Sequence, residues 1–138
     1  MNDTALSTYS ALIYVMVMTS AADRDMTDRE LRRIGHMVKN LPVFEGFDVN
    51  DLVPVAEACA AEVSGDAGLD AVLDRVADAL PDHLRETAYV LACEVAAADL
   101  HLEPEELRML QMLGHVLRID RLISSALQRG VRARHMTL

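Results

Sequence analysis

The 138 residues contain no Trp, two Phe and three Tyr. A β-sandwich fills its inner faces with aromatic and β-branched side chains. Here Ala, Leu and Val dominate, which favours closely packed helices. Cysteine is scarce too: Cys59 and Cys93 are too few for a disulfide framework and form no CxxC pair. Each sits in an apolar stretch and reads as a small buried hydrophobe. No apolar run approaches the roughly 20 residues of a membrane-spanning helix. Basic residues are outnumbered, 13 Lys and Arg against 22 Asp and Glu, for a formal charge of −9. Such a surface repels nucleic-acid phosphates and anionic lipid. It suits cations, basic protein partners or plain solubility. There is no glycine-rich phosphate loop, no GxSxG, no HExxH and no paired Cys/His spacing. These absences argue against an enzyme and leave room only for a metal-dependent one.

The most apolar stretch, "ALIYVMVMTSAA" at residues 11–22, has the look of a signal-peptide core. No Lys or Arg precedes it, and Asp3 lies where a positive charge belongs. It is therefore expected to be a buried helix in a cytoplasmic protein.

The pattern predicts an all-α chain, a compact bundle of about seven helices. A single domain is expected over residues 1–130, with a basic tail, "VRARHMTL", over 131–138. A first helix is expected over 4–22, apolar on most sides and so central. A second carries Leu31, Ile34, Val38 and Leu41 on one face, before a loop at Pro42 and Gly46. Asn50 is expected to cap a third, with Pro54 tolerated in its first turn. "SGDAG" breaks the chain before a fourth helix with Leu69, Val72, Leu73, Val76 and Leu80. The fifth is expected over 84–98, the sixth over 104–117, and the last from Asp120 to Arg129, stopped by Gly130.

Two stretches repeat. "AADRDMTDREL" at 21–31 returns as "AADLHLEPEEL" at 97–107. Asp23 pairs with Asp99, Met26 with Leu102, Glu30 with Glu106 and Leu31 with Leu107, at one constant spacing. Each copy covers the end of an apolar helix, a short turn and the start of the next helix. The chain thus reads as a duplicated helical hairpin, with the third and fourth helices placed between the copies.

Two readings of the repeated acids stand. In one they are helix caps: Thr27 with Glu30 forms a capping box, and Glu103, Pro104 and Glu106 form its counterpart. In the other, a pseudo-twofold arrangement brings both turns to one end. Asp23, Glu30, Asp99 and Glu106, with Glu94 behind them on the fifth helix, then form a set of carboxylates. Such a set suits a hard divalent cation, Ca²⁺, Mg²⁺ or Mn²⁺, better than a thiophilic one. His101 would sit in the second turn as a nitrogen donor or as a solvated side chain. His36 and His115 read as surface or core-edge residues, and the eight Met as adaptable core filling.

The two motifs, "SAADRDMTDRE" and "AAADLHLEPEE", resemble the signature of the TerB family of bacterial tellurite-resistance and stress-response proteins. In that signature an apolar helix ends in A-x-A-D-G and an acid opens the next helix, twice. The resemblance covers residues 12–117. It implies a compact all-α bundle with acidic residues gathered on one face to bind metal. The family's Asp falls on Asp23 and Asp99, and its Glu on Glu30 and Glu106. The glycine after the Asp is replaced by Arg24 and Leu100, which implies an altered turn.

Three functions follow as expectations. The first is a non-enzymatic, acidic interaction or metal-binding module associated with tellurite or general stress resistance. The second is a structural domain docking a basic protein partner through its acidic face. The third is a metal-dependent enzyme. Nucleic acid and a membrane span are not expected.

Overall fold

A computed structural model describes residues 6–22, 26–97 and 102–138. Among them are seven α-helices and no strand: α1 (Thr8–Ser20), α2 (Asp28–Asn40), α3 (Leu52–Ser64), α4 (Gly68–Ala79), α5 (Arg85–Ala97), α6 (Pro104–Val116) and α7 (Arg121–Arg134). The all-helical expectation holds.

The first helix has no polar face, and its burial follows from that. Every residue from Ala11 to Ser20 is buried. Its start is fixed by Ser7, whose side chain accepts the Ser10 N–H at 3.0 Å. Inside, the Thr19 hydroxyl donates to the Val15 carbonyl at 2.8 Å, so it enters the core without a lost hydrogen bond. α1 packs on α5, α3, α4 and α6, and α5 is the second central helix, covered by α7.

The duplication reaches further than a hairpin. α3 covers α1 as α7 covers α5, and each pairing is tied through a buried tyrosine. Tyr14 on α1 donates its hydroxyl to the Glu62 carboxylate on α3. Tyr89 on α5 accepts the Gln128 amide of α7 at 2.5 Å. The packing of α3 on α1 thus parallels that of α7 on α5, although the sequence suggested α3 as an insertion. The α3 and α7 sequences share no clear motif, which is why the parallel was invisible. Glu62 also takes Arg75 of α4, so one carboxylate joins three helices.

One guanidinium sets the direction of the bundle. Arg85, at the start of α5, donates to the Ala77 carbonyl at 3.1 Å and to the Leu117 carbonyl at 3.2 Å. These carbonyls lie at the ends of α4 and α6; that of Ala77 also takes the Leu80 N–H at 3.4 Å. The Thr8 hydroxyl, at the start of α1, donates to the Ala79 carbonyl at the same end of α4. The N-terminal ends of α1 and α5 therefore meet at one place. Since these helices pack side by side, their C-terminal ends, which lead into the two repeated turns, lie together at the opposite end.

Several boundaries differ from expectation. The entry to α3 is capped by Asp48, not Asn50: its carboxylate accepts the Asn50 N–H at 2.9 Å and starts a 3₁₀ turn over Val49–Asp51. Gly46 turns the preceding loop with φ +91, and Tyr9 packs there against Phe44 and Phe47. Gly130 does not stop α7, which runs on to Arg134. Val131 is buried, and that packing outweighs the cost of about 1 kcal/mol for an internal glycine. Residues 131–134 of the expected tail are thus the last turn of a helix.

α6 ends in a left-handed residue. Arg118 has φ 58, while Ile119 N–H reaches the Gly114 carbonyl and Arg118 N–H the His115 carbonyl. This is a Schellman ending with Arg where glycine fits best. The left-handed cost of about 1–2 kcal/mol exceeds the extra chain entropy of glycine. Arg118→Gly is expected to stabilise the fold by about 0.5–1 kcal/mol and raise the melting temperature by a few degrees. Val15→Asp places a charge at a position with no exposure. It is expected to cost about 4 kcal/mol or more, read as a collapsed urea midpoint.

Candidate carboxylate site at the turn end

The two repeated motifs open α2 and α6 in the same way. In the first, Glu30 Oε1 accepts the Thr27 N–H at 2.8 Å and the Thr27 hydroxyl at 3.1 Å. The Glu30 N–H returns to the Thr27 hydroxyl at 3.2 Å. In the second, Glu106 Oε1 accepts the Glu103 N–H at 3.1 Å, and Pro104 takes the first helical position, where no N–H is needed. The capping reading of Glu30 and Glu106 is therefore correct for one oxygen of each. Glu30 is half-buried, and Glu106 is the one acidic side chain in the buried class among the described residues. Both sit at the third helical position, where a carboxylate also meets the positive end of the helix dipole.

Asp23 and Asp99, with Arg24, Leu100 and His101, lie outside the described residues. The structure brings the C-terminal ends of α1 and α5 to one end of the bundle, and the starts of α2 and α6, with Glu30 and Glu106, follow them in the chain. Glu94 has a different engagement. Its Oε2 accepts Arg134 Nε at 2.9 Å, and its Oε1 lies 2.7 Å from His135 Nε2. A carboxylate of α5 thus fastens the last turn of α7. Sequence reasoning missed this contact because it ended α7 at Gly130. The signal was the Arg and His of "VRARH", which suit the negative end of a helix. Among the described residues, no three His, Cys, Asp or Glu side chains are grouped as a metal site.

The remaining chemistry-bearing groups are quiet. Cys59 and Cys93 are buried free thiols, and burial pushes both up to about 12. For Cys93 the neighbouring Glu94 charge adds to the burial. Neither is a thiolate near neutrality. Burial also raises Tyr14 and Tyr89 above the ordinary phenol value. His36 and His115 are exposed, as expected.

The family model for tellurite resistance protein TerB matches residues 9–128. The chain belongs to the TerB family. That match takes in α1 to α6, both turn motifs and the first part of α7, and it stops before Arg134 and His135. No curated protein and no solved structure matches the chain. Among the described residues, no helix of this TerB-family chain is long and apolar enough to cross a membrane.

The buried thiols give a pH prediction. In the unfolded chain they ionise near 9.0, whereas the folded protein holds their protons to about 12. Their stabilising contribution is complete below pH 9 and is lost as pH rises toward 12. Urea unfolding at pH 8 and pH 10 is expected to differ by a loss on the order of 1 kcal/mol per thiol, most of it above pH 9. A Cys59→Ala, Cys93→Ala double variant is expected to show a shallower slope.

Proposed function

We propose that this TerB-family chain is a non-enzymatic binding module, and that its working end is the one carrying the two repeated turns. There it holds a hard divalent cation, Ca²⁺, Mg²⁺ or Mn²⁺, between the carboxylates of the two motifs. The observation that carries this reading is the shared end: the helices leading into both motifs run the same way, fixed by Arg85 and Thr8 at the far end of α4. The ligands would be Asp23 and Asp99 from the turns, with Glu30 and Glu106 from the helix starts. Carboxylates are hard donors, and the donor set fits such an ion. Glu94 would have to exchange Arg134 and His135 to join them. The ion would supply charge neutralisation, tying two turns together and setting their shape for a protein partner. Within the tellurite-resistance family this makes the chain a sensor or adaptor of stress rather than a catalyst.

A second reading has its own support. Glu30 and Glu106 already work as caps, so the acidic end also serves as a docking surface for a basic partner without any ion.

Calorimetry and melting with each ion separate the two. On the first reading Ca²⁺ or Mn²⁺ raises the melting temperature, by about 2.7 kcal/mol of stability at a hundredfold excess over Kd. Asp23→Asn with Asp99→Asn abolishes that shift while the helical signal persists. No heat and no shift with any of the three ions would leave the second reading standing.

A further inference from the structure

A groove of about 850 Å³ runs between α4 and α6, from Pro104 at the start of α6 to Val116 at its end. A smaller hollow of about 490 Å³ continues it, sharing Asp74, His115 and Val116. Its lining is apolar at Leu73, Leu107, Met112 and Val116. Leu107 is 39% exposed, although it belongs to the apolar stripe of α6.

The two walls differ in charge. On α4, Asp70, Asp74 and Asp78 recur every fourth residue and stand exposed along one face, spanning about 12 Å. On the α6 side stand Arg108, His115 and Arg118, also exposed. Among the described residues none of these six side chains makes an ion pair, and no pair bridges the groove from wall to wall. An apolar floor between an unpaired acidic rail and an unpaired basic rail matches an amphipathic helix of defined orientation. The apolar stripe of such a helix fills the groove, and its flanks carry opposite charges.

We infer that the α4–α6 groove docks an amphipathic helix from a partner protein, with Lys or Arg along the flank facing α4 and Asp or Glu along the flank facing α6. This surface needs no cation. Its charge rails set orientation and encounter rate, and the leucine-lined floor supplies the contact area.

The probe is a library of displayed helical peptides about 14 residues long, each with a leucine stripe and randomised flanks. Selection uses the full chain in EDTA, so that loss of the cation reading leaves this test intact. Enriched peptides are expected to carry basic residues on one flank and acidic residues on the other, and to bind more weakly as salt rises. Their affinity is expected to fall about tenfold or more for the Asp70→Lys, Asp74→Lys, Asp78→Lys variant. Exchanging the peptide's basic flank for Glu is expected to restore binding to that variant. Leu107→Glu, a single exposed change, is expected to weaken binding as well, and it decides the matter alone if the triple variant melts early. A selection that enriches nothing, peptides without the two-flank pattern, or equal binding to the variants would overturn the inference. Self-association of the native chain that the triple variant abolishes would also overturn it, by making a second copy the occupant.

Discussion

A helix with no polar face cannot lie on a surface, and α1 is such a helix. Its residues from Ala11 to Ser20 have to be surrounded, and α3, α4, α5 and α6 do so. α5 meets the same constraint with Ala88, Leu91, Ala92, Val95 and Ala96 buried. Two central helices side by side, made largely of small and aliphatic residues, let backbones approach closely and leave little need for aromatic bulk. The few aromatics are then used at particular joints. Tyr14 and Tyr89 each bridge a central helix to its cover, and Tyr9 with Phe44 and Phe47 seals the loop after α2.

Burial alone does not decide which way a central helix runs. Arg85 does, because five fixed donors on a planar group can satisfy carbonyls from two helix ends at once. By binding the ends of α4 and α6 it places the α5 start against both. Thr8 adds the α1 start to the same corner. The opposite end is thereby left to the repeated turns. In this way a contact far from the acidic motifs determines that they share an end.

Most of this architecture was legible in the sequence, for different reasons. The helices appeared because their apolar periods are clean, and α1 because its apolar character is continuous. The duplication appeared because turn chemistry is written in a few letters that persist: an acid at the third helical position and a cap before it. What stayed hidden depends on tertiary contacts. Gly130 looks like a stop until Val131 is seen to be buried and Arg134 to reach Glu94. Asp48 rather than Asn50 caps the α3 entry because a 3₁₀ turn intervenes, a distinction of two residues that periodicity does not resolve. Of the candidate ligands, Glu30, Glu106 and Glu94 can be placed by their partners. The family resemblance read from the two motifs was correct, since the match spans both.

The two halves have diverged in how their cover helices are fastened, and this bears on where the acids are used. At the place where α5 carries Glu94, the matching residue of α1 is Met18, which is buried in the core. The first half instead fastens α3 through Glu62, shared between Tyr14 and Arg75. The second adds Arg134 and His135 on Glu94 to the Tyr89–Gln128 contact. An acid that differs between the halves thus holds one half together, whereas Glu30 and Glu106 occur in both and hold matching helix starts. A role that needs both halves at once falls to the residues they share. By that argument the symmetric acids, rather than Glu94, are the ones to weigh at the turn end.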